Sequence, residues 1–211
     1  MSRYVGPACR LCRREGVKLF LKGQKCLTEK CPVERRPYPA GQHGQAASRG
    51  RKASEYSKQL REKQKVKRMY GLTERQFRNL FDKVTSLPGV KGTNLLVALE
   101  TRLDNVVYRM GFAASRRDAR QFIRHGHIQV NGRKVNVPSY HVLPGMEVRV
   151  APGSKEQVRV KLAQDLASRT APVSWISVDG DKAAGKVTER PTREMIPINA
   201  QEQLIVELYS K

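Results

Sequence analysis

The sequence predicts an α+β fold with a mostly helical body, a small twisted sheet and a basic N-terminal arm. Capped, amphipathic helical patterns occupy much of residues 54–126. Short alternating segments with an Asn-Gly turn follow from residue 127, which is typical of a hairpin. With 211 residues and a hydrophobic content of 39%, the chain is long enough to bury a core.

Positive charge is concentrated at the N-terminal side of the chain. The 41 Lys and Arg outnumber the 19 Asp and Glu, which leaves a formal net charge of +22. Residues 1–70 hold 19 basic and 5 acidic residues, whereas residues 151–211 hold 9 and 8. Because so many like charges repel one another, we expect a polyanionic partner, a nucleic acid; the alternative is a charged face that only aids solubility.

The hydropathy pattern argues against a membrane protein. No apolar run approaches the roughly 18–20 residues that span a bilayer. The first residues, MSRYVGPACRLCRREG, lack the apolar core of a secretion signal. We therefore expect a cytosolic protein without a membrane partner.

The four cysteines form two close pairs near the N-terminus. Cys9 and Cys12 are followed, after thirteen intervening residues, by Cys26 and Cys31. This spacing lets two turns present four thiolates to one centre, as tetrahedral Zn²⁺ requires. The predicted cofactor is one structural zinc ion, since four sulfurs leave no open position. Reduced cytosolic thiols argue against disulfides, while metal-free thiols and an iron–sulfur cluster remain alternatives.

An extended basic loop and a basic helix follow the cysteines. Residues 35–44 (RRPYPAGQHG) contain two prolines and two glycines, which predict a loop. Residues 54–70 predict a helix that Ser54 caps and that ends before Gly71. Its apolar stripe is thin and Lys and Arg cover the rest, so we expect this helix to contact a charged partner.

Two helices with apolar stripes come next. Thr73 and Gln76 form the signature of a capping box, and Pro88 ends that helix. A strongly periodic pattern from residue 93 to residue 111 predicts one further helix.

A short arginine-bearing helix leads into the sheet. Ser115 caps it, Gly126 ends it, and its outer face carries Arg116, Arg117, Arg120 and Arg124. This helix and the hairpin after it can straddle a phosphate backbone. His125 and His127 are interpreted either as RNA contacts or as a surface pair at the helix end. Residues 151–211 are expected to complete the core begun by residues 54–90.

Residues 99–139, LETRLDNVVYRMGFAASRRDARQFIRHGHIQVNGRKVNVPS, resemble the S-four type of RNA-binding module. The flanking segments 35–44, 61–81 and 202–211 resemble the S-four family of bacterial small-subunit ribosomal proteins. The resemblance implies an RNA-binding domain at 93–162 inserted into a helical domain made of 46–92 and 163–211. It leaves 1–45 as a zinc-binding basic arm, a feature that only part of the family has.

The family resemblance also implies a function. A protein of this family is a structural constituent of the small ribosomal subunit and is a primary binder of 16S rRNA. Its expected location is the cytoplasm, within the ribosome. It nucleates assembly of the subunit body, contributes to translational accuracy, and contacts neighbouring small-subunit proteins and mRNA where the messenger enters. The proline-fixed loop is expected to present Tyr38 and His43 to exposed bases. The predicted RNA-binding residues are Arg13, Arg14, Arg35, Arg36, Tyr38, Gln42, His43, Arg49, Arg51, Lys52, Lys58, Arg61, Lys63, Lys65, Arg68, Arg116, Arg117, Arg120, Arg124, His125 and His127.

Two enzyme classes share this type of module. In pseudouridine synthases a catalytic Asp follows Arg-Leu, and Arg102-Leu103-Asp104 fits that context superficially. Too little chain follows for a separate catalytic domain. Tyrosyl-tRNA synthetases need a nucleotide site, and the sequence has no Gly-rich phosphate loop. We therefore expect no enzymatic activity, with a pseudouridine synthase as the alternative.

Overall fold

The computed structural model describes residues 4–47, 54–169 and 172–210, and over these ranges it is an α+β structure. The helices are α1 (Ala8–Glu15), α2 (Pro32–Arg35), α3 (Gly44–Ala47), α4 (Glu55–Met69), α5 (Glu74–Thr85), α6 (Lys91–Glu100), α7 (Leu103–Arg109), α8 (Arg116–Arg124), α9 (Val158–Ala167) and α10 (Glu202–Tyr209). The strands are β1 (Ile128–Val130), β2 (Arg133–Lys134), β3 (Glu147–Val150), β4 (Ile176–Asp179) and β5 (Ala184–Val187). The predicted fold class, mostly helical with a small sheet, is confirmed. Within the described ranges, no helix is long and apolar enough to cross a membrane.

The chain divides into two compact units. The first comprises Met1–Gly92 with Asn199–Lys211, and the second comprises Thr93–Ile198. The second unit is thus inserted between two segments of the first.

Helices α4 and α5 of the first unit begin where the sequence predicts. The Ser54 hydroxyl accepts the Ser57 N–H at 3.3 Å and caps α4. At α5 the capping box is complete, since Thr73 and Gln76 bond to each other's backbone N–H. The core lies between these helices and α10, which packs along α4; its members include Val66, Phe77, Leu80, Phe81, Val84 and Ile205.

The second unit packs helices against one antiparallel sheet with the strand order β2-β1-β3-β5-β4. The Asn131-Gly132 turn joins β1 to β2, and both residues have positive φ, as a type I′ hairpin turn requires. Val148 in β3 pairs with Val130 and with Gly185, which extends the core face across three strands. Trp175, fully buried, belongs to the same core.

The predicted helix from 93 to 111 is wrong in one respect, because it is two helices. Between α6 and α7 the chain is extended, and Arg102 pairs with His141 in an isolated bridge. The Leu103 N–H donates to the Tyr140 carbonyl at 2.8 Å and the Val142 N–H donates to the Thr101 carbonyl at 2.9 Å. Because Thr101 and Leu103 form these backbone hydrogen bonds with residues 140–142, the chain leaves the helical conformation at residues 101 and 102.

Residues 163–198 lie in the second unit, which differs from the expected domain boundary at 162. β5 pairs with β3 and joins β4 to the sheet, so this segment shares the core of the inserted module. Only α10, from the expected C-terminal part, packs with α4 in the first unit. Residues 1–45, expected as an arm of their own, fall within the first unit.

Candidate nucleic-acid interface

Two of the four cysteines, Cys12 and Cys31, lie in a small buried cluster of the arm. All four are free thiols; Cys9 is half-buried and the other three are buried. Burial, together with the charges of the other cysteines, raises the pKa of Cys12 and Cys26. The Lys22 N–H donates to Cys26 Sγ at 3.4 Å. In the described part of the chain, no three His, Cys, Asp or Glu side chains are arranged to hold a metal ion.

The loop 35–44 is held by a side chain from α1. Arg13 Nε donates to the carbonyl oxygen of Tyr38 at 2.8 Å, and its guanidinium lies 4.9 Å from the centre of the Tyr38 ring. Tyr38 is half-buried, whereas the loop residues Arg35, Arg36, Gln42 and His43 are exposed, as is Arg14 in α1. The exposed loop side chains can reach a nucleic acid, and Arg13 is engaged with the loop itself.

The basic residues of α4 are paired with carboxylates of the same chain. The pairs are Lys58 with Glu55, Arg61 and Arg68 with Glu15, Lys63 and Lys67 with Glu74, and Lys65 with Glu62. The charged partner that the thin apolar stripe led us to expect is therefore, in this structure, the protein's own acidic residues. Lys63 is also buried, so its ammonium serves the fold.

Glu74 is the most strongly perturbed acid of this group. Partial burial raises its pKa, but hydrogen bonds from Lys63 and Lys67, both at 2.6 Å, outweigh burial and lower the pKa to about 2. Its Oε1 also accepts the Tyr209 hydroxyl at 3.0 Å. Glu74 thus connects α4, α5 and α10.

On α8, Arg120 is bound to a buried aspartate. Arg120 Nη2 donates to Asp104 Oδ2 at 2.7 Å, and Arg102 donates two hydrogen bonds of 2.8 and 3.1 Å to the same carboxylate. The Asp104 side chain is only 4% exposed. An aspartate buried between two guanidinium groups is not placed to attack a base, so the geometry does not support the pseudouridine synthase alternative.

Arg116 belongs to a second buried network. Its Nε donates to Asn105 Oδ1 at 2.7 Å, and Asn105 Nδ2 donates to Glu100 Oε2 at 2.8 Å. Glu100 is fully buried and also receives two hydrogen bonds from Arg109. The guanidinium of Arg116 stacks 4.7 Å from the centre of the Tyr108 ring. Arg116 and Arg120, two of the four predicted arginines of α8, therefore stabilise the second unit through contacts with its buried polar residues.

The other predicted residues of α8 face outward. Arg117, Arg124 and His125 are exposed, on the outer face and at the C-terminal end of the helix. His127 is partly buried, stacks on Phe122 and shares a 2.8 Å hydrogen bond with Ser154. These contacts make His127 part of the packing at the helix end.

Arg159, which packs against the same helix, was not among the residues predicted from the sequence. It bonds to Asp118 and lies 4.8 Å from the centre of the Phe122 ring. Burial and the positive charges of Arg159, His125 and Lys134 lower the pKa of His127. No local pattern reveals Arg159, because its partners lie about forty residues earlier.

Three predicted residues, Arg49, Arg51 and Lys52, lie outside the described residues. The structure brings the remaining candidates into two groups, one in each unit. The exposed members are Arg14, Arg35, Arg36, Gln42 and His43 in the first and Arg117, Arg124 and His125 in the second.

Comparison with known proteins gives matches along almost the whole chain. Residues 3–100 match the family model "Ribosomal protein S4/S9 N-terminal domain", and residues 101–148 match the "S4 domain". "Small ribosomal subunit protein uS4" of Thermus thermophilus is 54% identical over 213 residues, and that of Halothermothrix orenii is 55% identical over 211 residues. "Small ribosomal subunit protein uS4A" of Symbiobacterium thermophilum is 57% identical over 211 residues. In all three comparisons 100% of both chains is covered.

Proposed function

The chain belongs to the ribosomal protein S4 family, and from this premise we infer that it is a structural, non-enzymatic component of the small ribosomal subunit that binds ribosomal RNA. The observation that carries the inference is identity above 50% over the full length of proteins named for that role. The place of action is then the ribosome, in the cytoplasm.

The exposed basic residues support RNA as the ligand. Arg117, Arg124 and His125 are exposed on helix α8 of the inserted module and at its C-terminal end. In the first unit, exposed Arg35 and Arg36 start a loop whose prolines limit its freedom. Guanidinium groups bind phosphates in bidentate geometry, and a constrained loop loses little entropy on binding.

We extend the proposal to the finer role. The protein is a primary binder of 16S rRNA that nucleates assembly of the subunit body and contributes to translational accuracy. Its further partners are neighbouring small-subunit proteins and mRNA where the messenger enters. Exposed basic residues in each of the two units support several RNA contacts at once, as a nucleating protein needs.

Structural Zn²⁺ on Cys9, Cys12, Cys26 and Cys31 remains part of the proposal. Support comes from the paired spacing and from the amide directed at Cys26. The described side chains do not form a metal site as they stand, so zinc binding would have to draw the four thiolates together. Bound zinc would hold the thiolates in one cluster and add folding free energy to a segment with few large apolar side chains.

Footprinting tests the RNA-binding proposal. The full chain is added to protein-free 16S rRNA, and hydroxyl-radical protection is mapped for the wild type, Arg124→Gln and Lys63→Gln. We expect one protected region, locally weakened by Arg124→Gln and unchanged in position by Lys63→Gln. If the protein protected an unrelated structured RNA from hydroxyl radicals as strongly as it protects 16S rRNA, specific binding of rRNA would be contradicted.

A further inference from the structure

The guanidinium of Arg13 makes four contacts with the loop 35–44. Its Nε donates to the carbonyl oxygens of Tyr38 at 2.8 Å and Arg36 at 3.2 Å, and its Nη2 donates to that of Pro39 at 3.3 Å. Its Cζ also lies over the Tyr38 ring, 4.9 Å from the centre. These partners lie 23 to 26 residues away along the chain, so the contact is tertiary.

An arginine is needed for this contact. The planar guanidinium offers several donors in a fixed fork and can stack on a ring while it donates, whereas a lysine ammonium is a compact point charge. The loop has few other means of fixing its path, because Pro37 and Pro39 carry no N–H to donate.

The loop path is also restricted from its far side. A Cβ on Gly44 would lie 1.9 Å from the Pro39 carbonyl oxygen, one of the acceptors of Arg13. The Gly44 N–H closes a turn on the Gly41 carbonyl at 3.0 Å. The observed path of the loop therefore depends on the contacts of Arg13 and on the absence of a side chain at Gly44.

The position of Arg13 depends in turn on the fold of the arm. Its neighbour Cys12 is buried in a cluster with Leu19, Cys31 and Val33. Two residues later, Glu15 pairs with Arg61 and Arg68 of α4. A change in the arm core would move α1, and with it the group that holds the loop.

We propose that Arg13 is a positioning residue through which folding of the cysteine-bearing arm sets the RNA affinity of the loop 35–44. Arg13 then does not contact phosphate itself but presents the Tyr38 ring and the exposed loop side chains in their binding conformation. The inference rests on the proposed function for its RNA ligand, and on the contacts above for its mechanism.

The first experiment measures the loop without RNA. Amide hydrogen exchange of residues 40–44 is compared in the full-length wild type, Arg13→Lys and Arg14→Lys. We expect faster exchange at these amides in Arg13→Lys only, because Arg14 is exposed and has no loop contact of this kind. Equal exchange in all three proteins would overturn the positioning role. If Arg13→Lys disorders the whole arm, Gly44→Ala tests the loop with Arg13 intact.

The second experiment measures affinity for a 16S rRNA transcript as a function of salt. We expect Arg13→Lys and Arg13→Ala to weaken binding equally, by roughly tenfold, and Gly44→Ala to do the same. The slope of log K against log salt should match the wild type in Arg13→Lys, while Arg14→Ala should lower its magnitude by about 0.7–0.9.

Full rescue of binding by Arg13→Lys would identify Arg13 as a phosphate contact and overturn the inference. Absence of specific binding by the wild type would instead reject the proposed function, and the exchange experiment would still decide whether Arg13 holds the loop.

Discussion

Arg117 and Arg120 are three residues apart on α8, yet their surroundings are opposite. Arg120 bonds to Asp104, whose side chain is almost fully buried, while Arg117 is exposed. Removal of one partner from a buried ion pair leaves the other charge uncompensated, which is strongly destabilising. The same side chain type therefore stabilises the module at one position and is exposed to solvent at another.

We predict that Arg120→Ala lowers the free energy of unfolding by about 1–3 kcal/mol, since Arg102 still compensates part of the Asp104 charge. Arg117→Ala should change stability by less than about 0.5 kcal/mol and should weaken RNA binding. Urea denaturation and RNA titration of both variants provide the check. If Arg120→Ala left stability unchanged and weakened RNA binding alone, Arg120 would be a phosphate contact.

Tyr38 is a half-buried aromatic residue with Arg13 against its ring. We predict that Tyr38→Ala weakens RNA binding by about 1–3 kcal/mol if an unpaired base stacks on the ring, whereas Tyr38→Phe retains most of the affinity. The measurement is a binding titration with the rRNA transcript. Equal loss in the two variants would assign the effect to the hydroxyl rather than to stacking.

At the scale of the elements, α4 is held by ion pairs to its neighbours. Glu15 of α1 lies against Arg61 and Arg68, and Glu74 of α5 lies against Lys63 and Lys67. The basic helix thus gains partners for its charges from both sides. This arrangement ties the helix to the arm and to α5.

The lowered pKa of Glu74 predicts a dependence of stability on pH. The folded pKa is about 2, below the ordinary value of 4.5, so the ionised form stabilises the fold. This contribution is complete above pH 4.5 and is lost as the pH falls through the folded pKa. It should not exceed about 1 kcal/mol, because the Glu74 side chain is 48% exposed and solvent screens the pair. The free energies of unfolding of the wild type and of Glu74→Gln, measured as a function of pH, should approach each other as the pH falls to about 2. A difference that stays constant down to that pH would contradict this assignment.

Zinc should act on the arm alone. We predict one zinc per chain by metal analysis, with Cys9→Ser and Cys31→Ser each abolishing it. Chelation should unfold the arm up to residue 35 and leave the helices from residue 54 onward folded, because those helices have a core of their own. Hydrogen exchange with and without chelator locates the change. A reduced protein that holds no metal would contradict the proposed site.

At the scale of the whole molecule, many of the positive charges are neutralised internally. Seven of the predicted RNA contacts pair with carboxylates of the chain, namely Lys58, Arg61, Lys63, Lys65, Arg68, Arg116 and Arg120. Five others, Arg14, Arg35, Arg36, Arg117 and Arg124, are exposed. The number of basic side chains available to RNA is therefore smaller than the total of 41 Lys and Arg indicates.

This distribution predicts the salt dependence of RNA binding. The five exposed arginines and the three predicted residues outside the described part allow about eight phosphate contacts. The slope of log K against log salt should then be about −6 to −7. A filter-binding titration from low to high salt measures it. A nearly flat slope would rule out phosphate neutralisation as the main source of affinity.

Local patterns in the sequence determine where two helices of the first unit begin and where the hairpin of the second unit turns. The Ser54 cap, the Thr73–Gln76 box and the Asn131-Gly132 hairpin each depend on residues within about four positions of one another, and all three are present in the structure. The resemblance of residues 99–139, together with the flanking segments, likewise identified the family without coordinates.

Only the tertiary structure decided which positive charges are available to RNA, because Glu15 meets Arg61 across 46 residues. It also decided the break between α6 and α7 and the place of β5 in the sheet, since both depend on backbone bonds to distant segments. Charge pairing and strand pairing are set by which remote segments the packing brings together, and a local pattern does not carry that information.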